Sequence, residues 1–423
     1  MLDDKLVVYV LFATRNKTKL RVKQQRHGTS LILPVVCPLL LHRLLSFRST
    51  DSKKVSLSLH PGQFGVFESY PLNQFCLCAY VCVLLSGHQF SLLLKDPDQP
   101  ENAKSLKVTI VGAPNAGKST LTNQLLGRKL FAVSEKVHTT RSRAVGVLTE
   151  DDTQIILLDT PGLTTPVKAK RHHLEVSLLV DPFDSIKEAD LVVVLVDVSD
   201  KWTRNKLDYE VLKCLALNPD VPAILVLNKV DLLKNKTLLL DITAQLTEGV
   251  VNGKKIRIRG AEKPHEKSTA QRHNSLKALK SRRGWHLFKD VFMLSSIDRE
   301  DVETLKKYLF DGAKPGHWQY HSEVLTDQGP EEMCINTIRE KLLQHLPKEV
   351  PYSMTQQIEI WKESEDGVLD ISIKLYVKKD THMKMVIGSG GHLITRITQE
   401  AESDLMKIFL REVRLKISAK LKK

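Results

Sequence analysis

The chain has 423 residues, a formal net charge of +14 and 42% apolar residues, which is ample for two or three domains with their own cores. An excess of Lys and Arg of this size points to a polyanionic partner. The six cysteines exclude a disulfide framework: Cys76, Cys78 and Cys82 lack the spacing of a zinc site, and Cys37, Cys214 and Cys334 stand singly.

Residues 5–50 contain no Asp or Glu, while Arg15, Lys17, Lys19, Arg21, Lys23 and Arg26 supply positive charge, the bias of an organelle transit peptide. Asp3 and Asp4 beside the initiator, and an apolar rather than Arg-rich stretch at 6–12, weaken that reading. The apolar runs at 31–41 and 75–85 fall short of the ~18–20 residues of a spanning helix, so no transmembrane segment is expected. Residues 1–103 therefore read as an N-terminal extension, largely disordered, with a transit segment as its functional alternative.

From 104 to 314 the pattern alternates strand and helix, with strands near 107–111, 153–158, 191–197, 223–227 and 291–294. That alternation predicts a P-loop-type α/β domain, a doubly wound, mostly parallel sheet with its ligand at the strand carboxyl ends. Residues 112–119 read GAPNAGKS, a GxxxxGK[ST] turn whose backbone N–H groups wrap phosphate oxygens at the mouth of a helix. Gly112, Asn115, Ala116, Gly117, Lys118, Ser119 and Thr120 are thereby assigned to a nucleotide. Lys118 reaches the β- and γ-phosphates and the Ser119 hydroxyl holds Mg²⁺. DTPG at 159–162 places Asp159 on the Mg²⁺ side and offers the Gly162 N–H to the γ-phosphate.

NKVD at 228–231 supplies Asn228, Lys229 and Asp231. The Asp231 carboxylate accepts the two N–H groups of the guanine N1/N2 edge, whereas adenine would face it with a lone pair, so GTP is selected over ATP. The Ser296 N–H is assigned to guanine O6. In VHTTR at 137–141, Thr140, in preference to Thr139, closes on Mg²⁺ only while a γ-phosphate is present. The residue after DTPG is Leu163, which cannot orient an attacking water, so intrinsic hydrolysis is expected to be slow. Residues 252–285 hold eleven Lys/Arg against two Glu and read as a mobile basic surface insertion.

After a linker at 315–328, residues 329–423 predict a helix at 330–346, strands at 357–361 and 369–377, a helix–GxxG–helix and a strand at 413–417. This αββααβ order is that of a small α+β type II KH domain. Its turn, Gly388, Ser389, Gly390 and Gly391, brings backbone N–H groups to the phosphates of a single strand, helped by Lys384 and His392.

GxPNxGKS, TTR, DTPG and NKxD ahead of a type II KH domain resemble the Era family of GTPases. RHH at 171–173, VVNGKK at 250–255, IREKLL at 338–343 and EVPY at 349–352 are similar to its animal mitochondrial branch, and the likeness spans residues 104–423. The resemblance implies a GTP-hydrolysing chaperone that binds the 3′ region of small-subunit ribosomal RNA, of the mitochondrial 12S type. It would assist assembly of the mitochondrial small ribosomal subunit, in the matrix or peripherally on the inner membrane. Asn115 stands where related GTPases with an apolar residue after DTPG hold K⁺, a charge that can act as an arginine finger does. Residues 1–102 do not resemble the family's usual transit region, and the GxxG turn lacks the Lys or Arg often present there. The competing reading is a switch acting on a protein partner, with the C-terminal domain as an adaptor.

Overall fold

The computed structural model describes the backbone of residues 8–14, 17–23 and 30–34, and residues 92–134, 136, 143–163, 183–256 and 279–422 in full. It divides into two units, 1–83 and 84–423. In the first, β1 (Val8–Thr14), β2 (Lys17–Lys23) and β3 (Ser30–Pro34) form an antiparallel sheet in that order. The expectation of disorder up to 103 otherwise lies outside the described residues except at its end, which is anchored. Leu92 is buried, Asp98 accepts from the Ser322 N–H and hydroxyl, and Gln99 accepts from the Trp318 N–H.

The second unit opens with β4 (Lys104–Gly112), β5 (Ala144–Glu150), β6 (Thr153–Asp159), β7 (Leu191–Asp197), β8 (Ala223–Asn228) and β11 (Phe288–Met293), in the order β11-β8-β7-β4-β6-β5. All pairs are parallel except β5–β6. β6 and β8 are buried at every residue, as runs of branched apolar side chains require when helices cover both faces. Pairing of Ile110 with Asp159, Gly112 with Leu195 and Asp197 with Asn228 brings the polar strand ends to one edge of the sheet. Helices α1 (Lys118–Leu125), α2 (Tyr209–Leu217), α3 (Leu238–Leu246) and α4 (Arg299–Asp311) belong to this domain. No described helix is long and apolar enough to cross a membrane.

Two expectations change here. The basic insertion is structured at both ends. β9 (Val250–Val251) and β10 (Lys254–Lys255) form a hairpin over Asn252 and Gly253, both at positive φ, the mark of a type I′ turn. Its other end buries Leu279 and Trp285. Residues 257–278, which hold six of the insertion's eleven Lys/Arg, are outside the described residues. The expected linker is an ordered strap. β12 (Lys314–Pro315) pairs with the start of β4, the Gln154 carboxamide holds the N–H groups of Gln319 and Tyr320 and the Tyr320 carbonyl, and Thr326 bridges to Gly146 on the edge of β5.

The C-terminal domain runs α5 (Pro330–His345), β13 (Met354–Glu363), β14 (Leu369–Val377), α6 (Asp380–Ile387), α7 (His392–Phe409) and β15 (Val413–Leu421). β14 lies between antiparallel β13 and parallel β15. Its Leu369, Ile371, Ile373, Leu375 and Val377 are buried and the residues between them half-exposed, so the helices cover one face only.

Candidate functional site

The strand ends assemble one cleft of ≈ 1220 Å³. Gly117, at φ 97, begins α1; a Cβ there would lie 2.4 Å from the Asn228 amide nitrogen, so only glycine fits. That nitrogen donates to the Ala116 carbonyl at 2.7 Å. Asn228 Oδ1 accepts from the Ser296 N–H at 2.9 Å and hydroxyl at 2.8 Å. The Ser296 N–H expected at guanine O6 is thus committed to Asn228, and Ser296 acts as a buttress. A Cβ on Gly162 would lie 2.8 Å from Pro114 Cα, so the DTPG turn lies directly against the P-loop.

Lys118 is buried, and its amine donates to the carbonyls of Gly112 and Ala113. Burial pulls its pKa down to about 8, against the opposing pull of Asp159. Burial pushes the Asp159 carboxyl up to about 6, although the Ser119 hydroxyl bond and Lys118 lower it. Ser119 Oγ donates to Asp159 Oδ2 at 2.7 Å, and Oδ1 is buried with no hydrogen-bond partner. A desolvated carboxylate with an unused oxygen beside a hydroxyl is a donor set that fits a hard divalent cation. Among the described residues no group of three His, Cys, Asp or Glu could hold one, so phosphate and water would complete the coordination.

Lys229 is in the left-handed region at φ 62, which turns its side chain to Asp197 Oδ2 at 2.7 Å. Asp197 Oδ1 in turn accepts from the Ser199 N–H and hydroxyl. Asp231 follows two residues on, in an exposed turn, and is not among the residues that line the cleft. Asn115, also at positive φ, and Thr120 line the cleft. Thr140 lies outside the described residues, and Leu163 is buried in the core.

Sequence reasoning missed the cleft's other wall. Leu343 and Gln344 of α5 line it together with the P-loop. Both polar atoms of the Val133 peptide are held by α5: its N–H donates to Glu340 Oε2 at 2.8 Å, and its carbonyl accepts from Gln344 Nε2 at 3.5 Å. Glu340 is 2% exposed and also accepts from Lys129 at 2.6 Å, which bridges to Asp404 of α7 at 2.9 Å. In sequence this glutamate looks like any solvent-facing helix residue, and no signal marks it.

In the C-terminal domain Gly388, Gly390 and Gly391 all have positive φ. A Cβ on Gly388 would meet Leu393 at 2.6 Å, so the turn closes tightly onto the amino end of α7. Gly391 caps that end without a side-chain hydrogen bond. Ser389 and His392 are exposed, and Lys384 reaches back to Asp380 at 2.9 Å.

A P-loop beside an NKxD strand, joined to an αββααβ domain with a glycine turn, defines a guanine-nucleotide GTPase fused to a KH domain. Residues 107–229 match the family described as 50S ribosome-binding GTPase, and 349–423 match the KH domain family. The chain is 78% identical over 356 residues to the mitochondrial GTPase Era of Danio rerio, covering 80% of each. It is 32% identical to the GTPase Era of Mesorhizobium japonicum, covering 74% of this chain and 87% of that one. A crystal structure of Era in complex with MgGDPNP and nucleotides 1506–1542 of 16S ribosomal RNA superposes with a TM-score of 0.60 at 25% identity, covering 76% of this chain and 94% of that one. The chain belongs to the Era family as a mitochondrial, GTP-hydrolysing member.

Proposed function

We propose that this GTPase is a nucleotide-regulated chaperone of small-subunit ribosomal RNA. It binds the 3′ region of the mitochondrial 12S-type RNA and assists assembly of the mitochondrial small ribosomal subunit, in the matrix or peripherally at the inner membrane. Gly388, Ser389, Gly390 and Gly391, with Lys384 and His392, contact the RNA backbone, as the turn's clustered N–H groups suit. The observation that carries the reading is the grip of α5 on Val133. A helix of the RNA-binding domain lines the nucleotide cleft and holds the Val133 peptide, which precedes residues 135–142 in the chain.

Nucleotide is GTP or GDP with Mg²⁺, held by Ser119, Asp159 and, in the GTP state, Thr140. A Mg²⁺ held there would supply positive charge to offset that of the phosphates. Lys118 neutralises the γ-phosphate, the Gly162 N–H senses it, Lys229 lies along the purine and Asp231 reads its edge. Closure of Thr140 pulls on the segment after Val133 and so changes how α5 docks.

The test is RNA affinity of the full chain loaded with GDP or with a non-hydrolysable GTP analogue, using an oligonucleotide from the 3′ end of the small-subunit RNA. A difference between the two states supports the chaperone. Equal or absent binding supports a switch acting on a protein partner instead.

A further inference from the structure

We propose that the loop after β7, with the chain at 280–283 beside it, is an RNA-binding surface on the GTPase domain. Trp202 takes an unpaired base on its ring, and Lys201, Lys206, Lys280 and Arg283 take the flanking phosphates. The inference rests on the RNA-binding reading above and adds to it a site on the other domain.

Two core residues pin the loop. Val198 and Leu207 are buried, and residues 199–206 between them read SDKWTRNK. Asp200 organises the first turn: its carboxylate accepts from the Trp202 N–H at 3.0 Å and from the Thr203 hydroxyl at 2.7 Å, and its carbonyl accepts from the Arg204 N–H at 3.0 Å. The backbone is thus fixed around Trp202 while its ring is left in water; at 94% exposure it is the most exposed large apolar side chain among the described residues. The end of the loop is tied to a second segment. Lys206 Nζ donates to the Lys280 carbonyl at 3.2 Å, and the Leu207 N–H donates to the Arg283 carbonyl at 2.8 Å. Lys201, Lys206, Lys280 and Arg283 are exposed, and none of the four has a carboxylate partner among the described residues.

The chemistry selects the occupant. A free aromatic face among uncompensated cations is the combination that holds single-stranded RNA, since the ring stacks a base and the cations follow the backbone. A duplex keeps its base faces inside the stack, so the ring selects an unpaired segment. Protein interfaces favour tryptophan but are depleted in lysine, and here three of the four cations are lysines. A membrane-inserting surface carries further apolar side chains beside the aromatic one, whereas the exposed neighbours of Trp202 in the loop are Lys201, Thr203, Asn205 and Lys206. The loop borders the nucleotide cleft, but in the reading above the purine is already served by Lys229 and Asp231.

The experiment uses the GDP-loaded full chain carrying Gly390→Asp, which disables the glycine turn, and a single-stranded oligoadenylate of about twelve nucleotides. Binding is read from the anisotropy of labelled RNA, and stacking from quenching of tryptophan fluorescence; Trp285 and Trp318 are buried and Trp361 is half-buried. The Gly390→Asp chain should still bind the RNA, with its fluorescence quenched. Adding Trp202→Ala should weaken binding about tenfold and remove the quench, while Trp202→Phe, which keeps a stacking ring, should hold affinity within a few-fold and lose the quench. Lys201→Gln/Lys280→Gln/Arg283→Gln should flatten the log K versus log salt slope by about 2, near 0.7 for each single-strand phosphate neutralised. Unchanged affinity in Trp202→Ala, or a quench that survives it, overturns the proposal. So does a Trp202→Ala variant that keeps its RNA affinity and loses only binding to phosphatidylserine vesicles, to polyglutamate or to GDP, which assigns the ring to a membrane, an acidic protein or the nucleotide. Wild type that binds its 3′-end RNA while the Gly390→Asp chain binds no oligoadenylate overturns this surface and leaves the RNA-binding reading standing. Wild type that binds neither RNA in any nucleotide state overturns that reading itself.

Discussion

The Asn228 side chain donates to the Ala116 carbonyl across 2.7 Å, tying the base-reading strand to the phosphate-binding loop. Because Ser296 holds the other end of the same carboxamide, three segments far apart in sequence meet on one residue. Base recognition and phosphate recognition are therefore coupled through a group that need not touch the nucleotide.

Gly117→Ala tests that junction. The new Cβ would lie 2.4 Å from Asn228 Nδ2 on a backbone at φ 97, so either the amide or the loop must move. Nucleotide affinity by calorimetry should fall at least tenfold, with a stability loss of about 1–3 kcal/mol from strain and the broken buried hydrogen bond. Gly253→Ala, also at positive φ but with nothing within 4 Å, should cost about 1 kcal/mol and leave affinity unchanged.

The buried pair Asp159 and Lys118 makes stability depend on pH in a definite sense. Asp159 titrates near 6 in the fold against an ordinary 3.8; the folded state holds its proton more tightly, so stability falls as pH rises from about 4 through 6. Lys118 titrates near 8 against 10.5, so its penalty is complete below pH 8 and fades towards 10.5. At pH 7.5 the nucleotide-free protein carries both. Asp159→Asn should raise its melting temperature by several degrees at that pH, with the gain vanishing near pH 4, while Mg²⁺-dependent nucleotide affinity drops sharply. A loss of stability at pH 7.5 would show that Asp159 is compensated in some other way.

Much of this architecture is legible in the chain because each central strand is a run of branched apolar residues ending in one polar residue of fixed chemistry: Asp159, Asp197 or Asn228. β5 escapes such reading. Gly146 interrupts its pattern, and the glycine is required by packing, since a Cβ there would lie 2.8 Å from Leu126. The strap at 315–328 escapes it too, because its backbone is satisfied by distant side chains such as Gln154, Asp98 and Gln99, a pattern with no period. Trp285 shows the converse failure: a core residue at the end of a segment whose charge reads as surface.

Asp197 should act on guanine binding through Lys229. Its two oxygens are divided between Lys229 and Ser199, which fixes the lysine stem along the cleft. Asp197→Ala should weaken GDP and GTP alike by about five- to tenfold, the scale of a charge-assisted hydrogen bond. In a Lys229→Ala background the same substitution should cost nothing further. Additive losses in this double-mutant cycle would show that Asp197 works independently of the lysine.

Leu163, the residue after DTPG, is buried in the core and cannot orient water, and we propose that a monovalent cation at Asn115 supplies transition-state charge. GTP turnover should rise severalfold or more in KCl over NaCl, and Asn115→Ala should abolish the difference. Equal rates in the two salts would remove K⁺ from the mechanism.

Glu340 is one of several residues that connect the domains, beside Arg128, Lys129 and Gln344. It is buried, its charge is met by Lys129 and Lys341, and its second oxygen holds the Val133 N–H. Glu340→Gln keeps an acceptor of the same shape but removes the charge that orders the two lysines around Asp404. The cost in stability should be about 1–3 kcal/mol, the range for a buried charged hydrogen bond. A purely structural role would weaken RNA binding equally in both nucleotide states. A coupling role predicts that the ratio of RNA affinities between the GTP-analogue and GDP forms moves towards one, and that GDP release quickens because the Val133 peptide is no longer held. Titrating RNA into each loaded form, beside stopped-flow release of a fluorescent GDP, separates the two roles; an unchanged ratio with a lowered melting temperature would leave Glu340 as a structural anchor alone.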